Sequence, residues 1–280
     1  MKKLFFASLA LILTVACSDD SYGRYPSREQ LQDVLLKKYP SAVNIKWGMR
    51  GGYVIADFEM PSSADMEYQA WFNSKAEWLM TESEILYGDL PAAVKQSFVS
   101  GDYAQWRVED VNMLERASAP TLYALEIEGL VGGVEQDMEL FYVADGMLVK
   151  IIEGGNASYD EFIPSLPNEG VKSFISKNYP NAQLVDVERK GSSFEVGILD
   201  GGNVRELLFD MHSKWVRTIT ELRASDLPQA VVNVINELYT SYHIDAADFV
   251  QTPNAEYYLV EIESGPQEVL LKITPAGEIL

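Results

Sequence analysis

This chain of 280 residues has one cysteine, Cys17, and two histidines, His212 and His243. A single thiol cannot close an intrachain disulfide, so the fold must hold without a covalent staple. Neither histidine lies in a His-Glu-x-x-His pattern, and both read as ordinary surface or loop residues, His212 before Lys214-Trp215 and His243 near a helix end. There is no Gly-x-Ser-x-Gly elbow, so a serine nucleophile with a base beside it is not indicated. The glycine pairs fall between alternating segments and read as hairpin turns, not as phosphate-cradling loops. Basic side chains are also scarce: 22 Lys and Arg stand against 42 Asp and Glu, a net charge of −20. That balance opposes nucleic acid and anionic membrane surfaces as partners. No apolar run reaches the roughly 20 residues that span a bilayer. The expectation is a protein that is not an enzyme and holds no cofactor or metal.

What is present begins at the N-terminus. Lys2 and Lys3 precede an apolar run from Leu4 to Val15, the shape of a secretory signal. The run ends in Leu13-Thr-Val-Ala-Cys17, which resembles the lipobox of bacterial lipoproteins. The resemblance implies that residues 1–16 are removed and that Cys17 carries the lipid. Removal takes away two lysines and no acids, so the charge becomes −20 − 2 = −22. Ser18-Asp19-Asp20 resembles a surface-export signal of some Gram-negative groups. The expected location is the outer membrane, lipid-anchored and displayed at the cell surface, with a periplasm-facing anchor as the alternative. Residues 17–26 form a polar tether.

The rest of the chain is organised by self-similarity. Trp78 and Trp215 are 137 positions apart, and so are Asp89-Leu-Pro91 and Asp226-Leu-Pro228. A fixed offset of this kind signals duplicated structure. Ser27 is a good N-cap for a helix carrying Leu31, Val34, Leu35 and Tyr39, which Pro40 ends. Alternating segments follow near 43–47, 53–60, 67–72 and 77–82. Asp89 is expected to cap a second helix, followed by strands near 104–114, 121–130, 135–143 and 148–153. Gly154 to Pro167 is rich in turn formers and is the best boundary. Asn168 caps a third helix that ends at Tyr179-Pro180. Strands are expected near 183–188, 193–199, 204–209 and 214–221. A fourth helix, 227–238, leads to strands near 247–251, 256–263, 268–273 and 277–280. The expected fold class is α+β, with two tandem domains, 27–153 and 168–280, joined by a 154–167 linker. Each domain is a pair of helix-plus-four-antiparallel-strand units, with the helices on one face of a curved sheet and the other face open.

Tyr39-Pro40, Trp47, Tyr68-Gln-Ala-Trp-Phe72, Trp78-Leu-Met-Thr81-Glu82 and Leu90-Pro-Ala-Ala-Val94 resemble the PepSY-like family of secreted bacterial proteins, related in fold to beta-lactamase inhibitor protein. The resemblance runs over most of the mature chain as two copies. It implies helices on a curved antiparallel sheet and binding or inhibition through the open sheet face. It does not imply that a beta-lactamase is the target.

Alternation places Trp71 opposite Tyr68, Ala70 and Phe72. If those three face the helix, Trp71 is on the open face, as a binding hot spot would be, unless it is buried where the domains meet. Tyr53 and Tyr257 are further partner-binding candidates. The matched pair Trp78 and Trp215 reads as helix-to-sheet packing anchors. Carboxylate pairs such as Glu82/Glu84, Asp186/Glu188 and Glu261/Glu263 sit two apart on strands, which puts each pair on one solvated face. Asp145 and Asp200 lack the spaced oxygens of a calcium loop. Three functions are weighed: binding of an envelope or extracellular protein or peptide, carbohydrate binding at the cell surface, and carboxylate-based hydrolysis, in that order.

Overall fold

A computed structural model describes residues 25–63, 66–154, 159–166 and 168–280. The leader, Cys17 and the acidic triplet after it lie outside the described residues. The chain runs α1 (Arg28–Lys38), β1 (Val43–Arg50), β2 (Tyr53–Glu59), β3 (Tyr68–Phe72), β4 (Trp78–Glu84), α2 (Ala92–Ser100), β5 (Arg107–Arg116), β6 (Leu122–Val131), β7 (Val134–Val143) and β8 (Leu148–Glu153). It continues through α3 (Glu169–Asn178), β9 (Gln183–Lys190), β10 (Ser193–Asp200), β11 (Asn203–Asp210), β12 (Trp215–Leu222), α4 (Gln229–Leu238), β13 (His243–Gln251), β14 (Glu256–Ser264) and β15 (Gln267–Ile273). All pairings are antiparallel between sequence neighbours. β1–β8 form one eight-stranded sheet and β9–β15 a seven-stranded one. Each sheet belongs to its own compact unit.

The helix starts differ in chemistry. Ser27 closes a capping box with Gln30, and Asn168 accepts from the N–H groups of Gly170 and Val171. α2 and α4 instead begin after Pro91 and Pro228, with no side-chain cap. Asp89 therefore does not cap α2. It sits in the 3-10 turn Tyr87–Asp89, two residues too early to reach the first free N–H groups.

Each helix buries a short apolar stripe on its sheet. Leu31 and Leu35 of α1 meet Ala56, Phe58, Ala70 and Phe72. Val94 and Phe98 of α2 meet Val111, Leu125, Ile127 and Leu140. Val171 and Ile175 of α3 meet Val196, Ile198, Leu207 and Phe209. Val231 and Ile235 of α4 meet Val260, Ile262, Leu271 and Ile273. Cross-strand partners share a face, so the register from Ala56 through Ala70, Thr81 and Glu115 can be followed to Tyr123 and Leu125. It places α1 and α2 on the same side of the first sheet.

Three further features differ from the sequence expectation. β13 opens at His243, not Ala247, so His243 is a strand residue facing Glu263 across the ladder. The segment after β15 forms only a bridge, Ile273 to Ile279, and no full strand. Part of the expected linker is ordered as a 3-10 turn, Tyr159–Phe162, beside β9, with Phe162 and Ile163 buried. The outer strands are irregular: β1 carries a bulge between Val43 and Lys46, with Asn44 at φ 54°, and β9 bulges at Val185.

Candidate functional site

The two marker tryptophans occupy equivalent places. Trp78 pairs with Phe72 and Trp215 with Phe209, each just past a bulge in the register. The tight turn before each is built alike. Asn73 Oδ1 accepts from the Lys75 and Glu77 N–H groups, and Asp210 Oδ1 from those of His212 and Lys214. Ala76 and Ser213 both take positive φ. Trp78 Nε1 donates to Thr81 Oγ1 at 2.8 Å, and Trp215 Nε1 to Thr218 Oγ1 at 2.9 Å. Both threonines are buried. The signal for this device, Trp-x-x-Thr at the repeat offset, is in the sequence, but the hydrogen bond it encodes was not anticipated.

The surroundings of the two anchors differ. Lys38 Nζ lies 3.6 Å from the centroid of the Trp78 ring and 2.7 Å from Glu115 Oε1. Tyr39 donates to Glu115 Oε2, and burial holds its hydroxyl well above the ordinary tyrosine range. In the second unit Phe174 stacks on Trp215, and the Tyr179 hydroxyl lies 3.3 Å from Thr218 Oγ1. Arg205 Nη1 donates to Thr220, while its Nε, 3.4 Å from Asp200, lacks hydrogen-bond geometry. These clusters pin a helix end to a strand and cover one face of each tryptophan ring.

The face opposite the helices was expected to be the open one. In the first unit it is not. Ile55, Trp71, Met80, Leu114, Leu122, Ala124 and Phe141 share that face by register and are all exposed by 7% or less. Trp71, the leading binding candidate, is 0% exposed. Ile55 and Met80 flank it across the ladder, Tyr53 meets it edge-on at 6.1 Å, and the Arg50 guanidinium lies 5.2 Å from its ring. It therefore offers no surface to a partner; its side of the sheet is a second apolar layer. Its Nε1 has no hydrogen-bond partner. Tyr53 is half-buried beside it.

Polar groups enter this layer. Glu139 and Arg116 are buried, and Gln69 Nε2 donates to Asp57 Oδ1 at 2.6 Å while its Oε1 is unpartnered. Glu82 stands across from Gln69. Burial pushes its carboxyl up to about 7; Glu139, Asp57 and Glu67 add to this, and Arg50 opposes it. The solvated-face reading of the carboxylate pairs is thus corrected at Glu82 and again at Asp186, which is 5% exposed. Asp186 fits because Gly197 faces it: a Cβ there would clash with Asp186 Oδ1. Glu82 does not line the hollow of about 350 Å³ in this unit, which is formed by Glu84–Tyr87 and Val108–Val111.

The second unit keeps an accessible surface at β14 and β15. Tyr258, Val260, Leu271 and Ile273 face α4, so Tyr257, Leu259, Leu270 and Lys272 face the other way. Leu270 is 66% exposed, and Lys272 Nζ lies 3.9 Å from the centroid of the half-buried Tyr257 ring. Tyr257, a further sequence-derived candidate, thus lies on the side of the sheet away from α4. Among the described residues no group of three His, Cys, Asp or Glu could hold a metal ion, and no helix is long and apolar enough to cross a membrane.

No curated protein matches this chain. Among solved structures, a BLIP-like protein from Bacteroides fragilis NCTC 9343 is 32% identical, covering 52% of this chain and 100% of that one, with a TM-score of 0.43. A DUF2874 family protein from Bacteroides ovatus ATCC 8483 is 29% identical over 46% of this chain and 88% of that one, at a TM-score of 0.41. A DUF2874 family protein from Bacteroides uniformis ATCC 8492 is 21% identical over 48% and 94%, at 0.42. The model of the beta-lactamase-inhibitor-like, PepSY-like family matches residues 61–150, 161–204 and 192–280. The match begins at 61, so α1, β1 and β2 fall outside it, although the residues that carry the resemblance begin at Tyr39. The matched segments touch both sheets and cover well over half of the residues, and the chain belongs to the PepSY-like, beta-lactamase-inhibitor-like family.

Proposed function

We propose that this protein is a non-catalytic lipoprotein of the cell envelope that binds a protein or peptide through the accessible sheet surface of its second unit. In this reading each unit is a pair of helix-plus-strand layers with the helices on one side, and only the second unit presents a recognition surface on the other. Cys17 carries the lipid, and the acidic triplet after it directs display at the cell surface. The partner is an envelope or extracellular protein, and the effect on it is inhibition or regulation. The observation that carries the reading is the Tyr257, Leu259, Leu270 and Lys272 surface. It joins an aromatic ring, exposed apolar area and a cation on a rigid sheet, the composition of a binding hot spot.

The test is recovery of a partner from envelope extract by the unlipidated mature chain. A specific protein should be retained by the wild type and lost with Tyr257→Ala and Leu270→Asp. Retention that ignores both substitutions would overturn the reading. Glycan-array binding abolished by Tyr257→Ala would replace it with carbohydrate recognition. Protease shaving of intact cells tests the location, since full protection would turn the anchor toward the periplasm.

A further inference from the structure

The first unit carries a second exposed apolar region, at one end of its sheet. β6 and β7 pair as far as Val131 and Val134, but β5 stops pairing at Glu128 and β8 at Met138. Beyond those points the two strands form a free ribbon with Gly132-Gly133 at its tip. Leu130 is 73% exposed, Val134 64% and Val131 48%. Trp106 lies flat on the ribbon's base, where Gly129 leaves room: a Cβ there would fall 2.2 Å from Trp106 Cδ2.

The second unit gives an internal control. Arg107 pairs with Glu128, and His243 pairs with Glu263 in the corresponding ladder. After Glu263 only Ser264 and Gln267 pair, with Gly265-Pro266 as the turn. Six residues, 130–135, therefore stand where the second unit has two. The fold closes its hairpin without the apolar extension, so the extension is not required by packing.

The same end of the sheet holds the hollow between Glu84–Tyr87 and Val108–Val111, with Leu86 64% exposed beside it. Leu86 continues β4 to about the level of Glu126, so the hollow and the tip are some four residues of extended chain apart, about 13 Å. The rim between them is acidic: Glu84, Glu109, Asp110, Glu126, Glu128 and Glu135. The cation among them, Arg107, is already committed to Glu109 and Glu128. Burial first, and then the neighbouring carboxylates, hold the Glu84 and Glu126 carboxyls above the usual range, and Glu128 raises that of Glu135. Such a rim gains by receiving positive charge and repels anionic lipid.

We infer that this end of the first sheet is a docking site for a cationic amphipathic peptide segment, its apolar side chains seated on the hairpin tip and hollow and its lysines or arginines on the acidic rim. The site is separate from the surface proposed on β14 and β15.

The probe is a synthetic peptide of alternating leucine and lysine, titrated into the unlipidated mature chain by calorimetry. Saturable one-to-one binding is expected. The joint substitution Leu86→Ser, Leu130→Ser, at two side chains on the face of Glu126 and Glu128, should weaken it at least tenfold. Glu128→Gln with Glu135→Gln should weaken it and flatten its salt dependence. Tyr257→Ala with Leu270→Asp should leave it unchanged, which separates this site from the function proposed above. Replacing residues 130–135 by Gly-Pro, the turn the second unit already folds with, guards against a misfolded serine variant and should also abolish binding. Equal affinity for a leucine–glutamate peptide, binding unchanged in both the serine and the turn variants, or hairpin-dependent binding to phosphatidylethanolamine vesicles instead of the peptide would each overturn the inference.

Discussion

Glu82 shows how one buried carboxyl sets a pH dependence. Its folded-state pKa is raised to about 7 from 4.5, so the folded protein holds that proton more tightly than the unfolded chain does. The stabilisation is full below about pH 4.5 and is lost as pH rises through about 7. On this basis wild type loses up to about 3 kcal/mol across that window from this group alone. Urea unfolding at about pH 5 and about pH 8 should show that Glu82→Gln makes the slope shallower by the share of this group, the other raised carboxyls keeping theirs, and is the more stable protein at the higher pH. Gly197 and Gly129 give a second residue-scale prediction. A Cβ at 197 would meet the Asp186 carboxylate and one at 129 the Trp106 ring. Alanine at either site should destabilise by about 1–3 kcal/mol, because a well-packed neighbour must move; Gly129→Ala should also shift Trp106 emission to the red. Neither constraint was legible in the sequence, because a strand glycine does not announce which side chain lies over it. Alternation assigned Trp71 its side correctly. It could not say whether that side was covered.

Among the elements, helix starts differ in what holds them. Ser27 satisfies one capping box, whereas Asn168 Oδ1 accepts from Gly170 N–H, Val171 N–H and the Ser213 hydroxyl, which ties α3 to the turn before β12. Ser27→Ala should cost about 1 kcal/mol and Asn168→Ala about 2 kcal/mol, measured by chemical denaturation. The tryptophan anchors belong to the same scale. Trp215→Phe keeps most of the packing on Phe174 and loses the bond to Thr218, for about 1 kcal/mol. Trp215→Ala should cost about 3 kcal/mol. The caps Ser27 and Asn168 were readable in advance because a cap acts over three or four residues, whereas at Asp89 the intervening 3-10 turn and Pro91 displace the helix start. The missing final strand was less so: Gly277-Glu-Ile-Leu280 is too short to show a period, and it forms one bridge, Ile273 to Ile279. His243 was misplaced because a strand can begin before its apolar alternation does.

Over the whole molecule, the net charge of −20 acts on every element at once. Self-repulsion among so many carboxylates weakens the compact state, and salt screens it. Raising sodium chloride from about 0.05 M to about 0.5 M should raise the Tm by a few degrees. A flat or falling Tm would show that the local ion pairs, such as Lys38 with Glu115, outweigh the global term. At this scale the sequence was most informative. The 137-residue offset announced two copies, and both sheets follow it, although the copies have diverged in the hairpin after β6 and in the partners of each tryptophan.

The irregular outer strands carry a further consequence. A straight, regular border would let molecules crowded at high local density zip together rim to rim into fibrils. The left-handed Asn44 kink breaks that template on one border, and the Val185 bulge does so on another. A protein made mostly of sheet can thereby remain dispersed when crowded.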